Sequence, residues 1–214
     1  MNTAANILIA DDHTVVRKGL IQILQDQYVD AKFTEVSNGN QLLQEARNGT
    51  WDIIISDLSM PGRNGLDTLK QLHAEMPNIP ILVLSIHSED QYAVRVLKAG
   101  ASGYLTKESA PDELVKAVNQ ILEGNKYINS SVAEKLLNSI EKGHSGMPHE
   151  LLSDREFDVL KLIASGKAVT EIAQNLSLSV NTISTYRMRL LEKMHMKSSS
   201  ELTHYAISNH LLEQ

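Results

Sequence analysis

The chain of 214 residues contains no cysteine, so disulfide bridges and thiolate metal sites are excluded. It also lacks any run of about 18 apolar residues, the length a helix needs to span a bilayer, and no membrane partner is expected. The opening MNTAANILIADD has no basic region followed by a long apolar stretch, so no secretory signal is read there and the cytoplasm is the expected compartment. Internal repeats and low-complexity tracts are missing too. Positive charge is in deficit: 20 Lys+Arg against 26 Asp+Glu give a net charge of −6. An acidic chain is a poor nonspecific binder of nucleic acid, but a local basic cluster can still contact phosphate. The deficit is confined to residues 1–125, with 10 basic against 16 acidic side chains, whereas residues 126–150 and 151–214 are each neutral.

What is present is the composition of a globular protein, 42% hydrophobic and 21% charged, at a length that suits two domains. Short apolar runs at 6–10, 32–36, 52–56, 81–85 and 102–106 alternate with amphipathic stretches at 14–26, 39–48, 64–75, 89–99 and 110–123. This predicts a (βα)5 α/β domain over 1–125. The first, third and fourth runs are nearly continuous in apolar residues, as the central strands of a doubly wound parallel sheet must be. Residues 126–150 read as a linker with a short helix over 131–142, followed by the Gly/Pro/polar stretch KGHSGMPHE. Beyond it every periodic segment is helical, at 153–165, 169–176, 179–194 and about 199–210, which predicts an all-α four-helix domain over 151–214.

Ligands and chemistry gather at the carboxyl ends of strands in parallel α/β sheets. In IIISDLSMPGRNG, residues 53–65, Asp57 stands where a buried strand ends. Asp11, Asp12, Ser85 and Lys107 fall at the corresponding ends of strands one, four and five. A lone aspartate after a strand is usually a turn residue or a cap, but five such groups on one edge make a pocket. Three neighbouring carboxylates need raised pKa values or a cation to relieve their repulsion, and hard oxygen donors suit Mg²⁺. A carboxylate can act as nucleophile to give an aspartyl phosphate, with an ammonium and a hydroxyl stabilising the phosphoryl oxygens. Asp57 is the candidate acceptor.

In the second domain, Ser153 with Glu156 has the form of a capping box, and Ser179 can cap the third helix. On a wheel of that helix Ile183, Leu190 and Met194 fall together, with Tyr186 beside them, as a core face. Asn181, Ser184, Thr185, Met188 and Glu192 lie opposite, a small and polar surface that could enter a major groove. Arg187, Arg189, Lys193 and Lys197 supply flanking charge, with Arg187 close to the core edge. The expected DNA-contacting set is Asn181, Thr182, Ser184, Thr185, Arg187, Met188, Arg189 and Lys193.

IADD, IIISDLSMPGRNGLD, VLS and GASGYLTK resemble, in order and spacing, the receiver domain of two-component response regulators over residues 6–123. LLSDRE, EIAQNLSLSVNTISTYRMRLLEKM and SSSELTHYA resemble the helix-turn-helix effector domain of the NarL/FixJ (LuxR-type) regulators over 151–207. Ser199 and Thr170 stand where that family usually carries positive charge. The resemblance implies a flavodoxin-like receiver in which Asp11, Asp12, Asp57 and the backbone carbonyl of Ser59 hold Mg²⁺. It implies that a cognate histidine kinase phosphorylates Asp57, and that Ser85, Tyr104 and Lys107 sense the phosphoryl group. In receivers that this segment resembles, the positions of Ser59 and His87 commonly tune dephosphorylation, with a solvated loop histidine the alternative at His87. The expected outcome is homodimerisation and binding to double-stranded DNA, with RNA polymerase a candidate further partner and no enzymatic role beyond the chain's own phosphorylation and its hydrolysis. Two rivals differ in class. A phosphatase with an aspartyl intermediate would need a second acid where Ser59 stands, and a phosphorylation-independent docking module would not need the full acidic set.

Overall fold

A computed structural model describes residues 5–60, 63–86, 89–129, 132–134, 137, 147–176, 178–209 and 211–212. The chain forms two compact units, residues 1–136 and 137–214. The helix expected over 131–142 lies largely outside the described residues, as does His87.

The first unit is a five-stranded parallel sheet in the order β2-β1-β3-β4-β5. Its strands are β1 (Asn6–Ala10), β2 (Lys32–Val36), β3 (Ile53–Asp57), β4 (Ile81–Ser85) and β5 (Gly103–Thr106). They alternate with α1 (Thr14–Gln27), α2 (Gly39–Asn48), α3 (Gly65–Glu75), α4 (Glu89–Lys98) and α5 (Ala110–Leu122). Consecutive residues of β3 and β4 are all buried, which explains their unbroken apolar sequence: both faces of the sheet are covered. Ile7, Ile9, Ile53, Ile55, Leu82 and Leu84 pack on one face with Leu20 and Leu24 of α1 and with Leu114, Val118 and Ile121 of α5. Asn38 caps α2 by accepting from the backbone N–H groups of Asn40 and Gln41, and Asn64 caps α3 through Asp67; each such cap contributes about 1 kcal/mol.

The strand order reverses between β1 and β3, and the register sets Ala10 beside Ser56, Asp57 beside Leu84 and Ser85 beside Thr106. The residues that follow β1 and β5 therefore sit level with the end of β3, at the crevice where such sheets bind ligands. Three strand boundaries differ from the sequence expectation. Asp57 is the last residue of β3 rather than the residue after it, because it still pairs with Leu84, and Asp52 falls outside the strand, its carboxylate accepting from the Asn6 N–H at 2.7 Å. β5 likewise begins at Gly103 rather than Ser102.

The second unit opens with a 3₁₀ turn, Pro148–Leu151, followed by α6 (Asp154–Ala164), α7 (Val169–Asn175), α8 (Val180–Lys193) and α9 (Ser199–Ser208). The capping box at Ser153 and Glu156 is present, and Ser179 accepts from the Thr182 N–H to start α8. Gly166, with φ of 79°, ends α6 in a Schellman pair: its N–H donates to the Ile163 carbonyl and that of Lys167 to the Leu162 carbonyl. His195 does the same for α8 at φ 54°, a left-handed conformation rarely taken by a side chain other than glycine. Phe157, Leu160, Ile172, Ile183, Leu190 and Leu202 are buried as the unit's core.

Gly65 begins α3, and a Cβ there would fall 1.9 Å from the backbone carbonyl oxygen of Leu58. The loop that follows Asp57 therefore passes directly against the start of α3, with no flexible atom to give way. Gly65→Ala is expected to destabilise the first unit by about 2 kcal/mol or more, read as a lower midpoint in urea unfolding followed by the circular dichroism of the full chain. An unchanged midpoint would mean that the loop has room to move.

Candidate functional site

The pocket at the sheet's carboxyl edge is built from three chain segments. Asp11 follows β1 and is 1% exposed, Asp57 ends β3 at 2%, and Asp12 faces solvent. From the end of β5 the Lys107 ammonium reaches across: Nζ donates to Asp57 Oδ2 at 2.7 Å and lies 2.7 Å from Asp11 Oδ2. The second contact is an ion pair without hydrogen-bond alignment, so among the described residues the buried Asp11 Oδ2 has no aligned hydrogen-bond donor. Asp57 Oδ1 accepts the Ser59 N–H at 3.0 Å. Lys107 is tied to β4 by its own backbone N–H, which donates to the Ser85 carbonyl at 2.8 Å. Ser85 and Tyr104 are both buried, Tyr104 more deeply than a residue half-packed on an edge strand would be.

Burial pushes the Asp57 carboxyl up from its usual range, and Asp11 adds to the rise; Lys107 and the Ser59 N–H oppose without reversing it. Burial also disfavours the Lys107 charge, but Asp11 and Asp57 outweigh it and hold the ammonium protonated. One ammonium among three carboxylates leaves the pocket negative. A cluster of Asp11, Asp12, His13 and Asp57, with one ligand atom from each within 4.8 Å of the others, and a buried carboxylate oxygen without an aligned donor among the described residues are the features a hard divalent cation satisfies.

Two residues here were not picked out from the sequence. His13 Nδ1 lies 2.8 Å from Asp12 Oδ1 and 3.3 Å from Asp11 Oδ1, and the His13 backbone N–H donates to Asp11 Oδ1 at 2.7 Å. The adjacency in the run DDH was its only signal. Arg17, one turn into α1, donates to the Asp11 carbonyl and to Glu35 Oε2, fixing the loop after β1 against β2. Nothing in the local pattern marks it.

In the second unit Asn181, Ser184, Thr185, Met188 and Glu192 are exposed on α8, while Ile183, Leu190 and Met194 are buried. Thr182 is half-buried and its hydroxyl lies 2.7 Å from that of Ser179. The flanking cations differ from one another. Arg189 is exposed. Arg187 is half-buried, with Nε donating to Ser199 Oγ at 2.7 Å. Lys193 donates to Oε2 of Glu156 at 2.7 Å, the same oxygen that accepts from Ser153 N and Oγ, each at 2.8 Å. The end of α8 is thereby strapped to the start of α6. No helix among the described residues is long and apolar enough to cross a membrane.

Comparison with known proteins follows the same division. Residues 7–119 match the family model of the response regulator receiver domain, and residues 150–206 that of the bacterial regulatory proteins of the luxR family. Response regulator UvrY of Escherichia coli K12 is 35% identical over 207 residues, 96% of this chain and 95% of that protein. Response regulator GacA of Pseudomonas aeruginosa is 33% identical over 208 residues, 97% of each chain. Among solved structures, RcsB from Salmonella enterica serovar Typhimurium, bound to promoter P1flhDC in the presence of phosphomimetic BeF3−, is 30% identical. It superposes with a TM-score of 0.66 over 96% of this chain and 100% of its own.

The Glu156 carboxylate sits in a buried position that would raise its pKa, yet the bonds from Lys193 and Ser153 hold it below the ordinary glutamate range. A carboxyl depressed on folding adds stability that is complete above the unfolded pKa and is lost as pH falls through the folded one. Lys193→Ala is expected to lower the stability of the second unit at pH 7 by about 1–2 kcal/mol, discounted for the half-exposed ammonium. The difference from wild type should shrink below about pH 4. Thermal unfolding across a pH series reads both; a difference that persists unchanged in acid would detach the effect from Glu156.

Proposed function

The chain belongs to the response regulators that join a receiver domain to a luxR-family domain, and we propose that it regulates transcription when Asp57 carries a phosphoryl group. The observation that carries this reading is the convergence of Asp11, Asp12, Asp57 and the Lys107 ammonium at the sheet's switch point. A cognate histidine kinase is the phosphoryl donor. A carboxylate oxygen of Asp57 forms the new P–O bond as the bond to the donor's nitrogen breaks, giving an acyl phosphate. Asp11, Asp12, Asp57 and the Ser59 carbonyl would hold Mg²⁺, which supplies charge neutralisation for the transferring phosphoryl group.

The rest of the reading concerns how the new charge is felt. Lys107 leaves its carboxylate partners for the phosphoryl oxygens, and because its N–H is bonded to the Ser85 carbonyl, β4 and β5 must respond together. Ser85 supplies the hydroxyl and Tyr104 the buried ring that repacks. Such a shift alters the α4–β5 surface and favours a homodimer, so that two copies of α8 reach two half-sites on double-stranded DNA. RNA polymerase is a candidate partner of the DNA-bound form in the cytoplasm. The exposure of Asn181, Ser184, Thr185 and Met188 supports their seating in the groove, with Thr182 at the start of the helix and Arg189 on the phosphate backbone. Arg187 and Lys193 act on the same face while held by Ser199 and Glu156.

Asp57→Asn is expected to abolish formation of a base-labile acyl phosphate from acetyl phosphate while leaving the fold intact, since the change is nearly isosteric. Undiminished labelling of the variant would remove Asp57 as acceptor. For the second unit, Arg189→Ala should weaken binding to specific and random duplexes alike and flatten the log–log salt dependence by about one unit. Met188→Ala should instead relax base preference at a defined position with the slope unchanged. Exchange of the two behaviours in a salt series would mean that another face of α8 enters the groove.

A further inference from the structure

We propose that Ser184 and Thr185 read DNA as hydrogen-bond acceptors only, selecting bases through the exocyclic amino groups of adenine N6 or cytosine N4. This rests on the reading that α8 enters the major groove and adds to it the polarity of the contacts. Ser184 Oγ lies 2.9 Å from the Val180 carbonyl oxygen, and Thr185 Oγ1 lies 3.0 Å from that of Asn181. A carbonyl oxygen carries no proton, so in both pairs the hydroxyl is the donor. A hydroxyl has one proton, and here each is spent on the helix's own backbone one turn earlier.

What remains on each oxygen is lone-pair capacity, and both side chains are exposed. Accepting from a base amino group adds a bond without breaking one. Donating to guanine O6 or N7, or to thymine O4, requires turning the proton away from the carbonyl and so only exchanges one bond for another. The donated bond also polarises the hydroxyl oxygen and strengthens it as an acceptor. The nearby cations are engaged in part elsewhere: Arg187 donates its Nε to Ser199, Lys193 donates to Glu156, and the exposed Arg189 is assigned to the phosphate backbone. Met188, 63% exposed, offers apolar surface suited to a thymine methyl. Ser184, Thr185 and Met188 therefore present acceptor and apolar surface, with the Asn181 amide able to both donate and accept.

Every base pair shows one amino group in the major groove, so base preference alone does not reveal contact polarity, and single atoms must be removed. The full-length protein with beryllofluoride is used to select from a library of random-sequence duplexes. The selection is repeated with Ser184→Ala and with Thr185→Val, and the position whose preference relaxes marks the pair each hydroxyl reads. The wild-type site is then resynthesised with that pair's amino group deleted, as purine for adenine or 2-pyrimidinone for cytosine, or with the purine N7 acceptor deleted as the 7-deaza base. Amino deletion should weaken wild type about fivefold and leave the matching variant unaffected, while the 7-deaza base should change both proteins equally. Coupling of the hydroxyl to N7, no coupling to the amino group, or no relaxed position in either variant overturns the proposal. A library that yields no enriched sequence at all overturns the DNA-reading function itself, whereas an enriched site with the wrong coupling overturns only the contact polarity.

Discussion

The Lys107 ammonium, 2.7 Å from a carboxylate oxygen of both Asp57 and Asp11, is the interaction on which the first unit's chemistry depends. It draws together the ends of β1, β3 and β5, and its backbone N–H adds β4. Without it, two carboxylates almost wholly removed from water would face each other across the switch point. With it, the pocket remains negative, and among the described residues Asp11 Oδ2 still has no aligned hydrogen-bond donor. The pocket is thus stable enough to fold but electrostatically incomplete. A cation answers the incompleteness, and a phosphoryl group on Asp57 would compete for the ammonium.

Each unit contains a buried carboxylate paired with a lysine, and the difference between the pairs is instructive. Glu156 receives Lys193 together with two donors from Ser153, and among the described residues no other acid is a partner. That arrangement is complete, and it locks the end of α8 to the start of α6. Asp57 shares its lysine with Asp11 and is crowded by it. Under the proposed function, a satisfied pair suits a helix that would present a fixed face to DNA, and a frustrated one suits a residue whose charge would change.

Much of this was legible in the sequence for definite reasons. The unbroken apolar runs of β1, β3 and β4 could only be central strands, and the sheet order bears that out. Ser153 and Glu156 announced a capping box because its residue types at three-residue spacing serve both orphan N–H groups. Polarity in the sequence suggests a strand end before Asp57, but both burial and pairing with Leu84 continue through it. The wheel located Arg187 at the core edge, where it is half-buried, but no wheel of α8 can see Ser199 or Glu156, which lie on other helices. His13 escaped notice because an imidazole beside two carboxylates is not distinctive until its ring nitrogen is seen within 2.8 Å of one of them. Arg17 escaped because its partners come together only when β1 and β2 pair.

The most direct measurement of the coupling between pocket and DNA is the affinity of the full-length chain for one selected duplex, with and without beryllofluoride and Mg²⁺, in wild type and in Lys107→Ala. Wild type should bind more tightly when the phosphoryl mimic is bound. Lys107→Ala should take up the mimic, followed by ¹⁹F NMR, and bind DNA with the same affinity as before. A variant that takes up the mimic and gains as much affinity as wild type would contradict the role of the Lys107 ammonium as the link between Asp57 and the rest of the molecule.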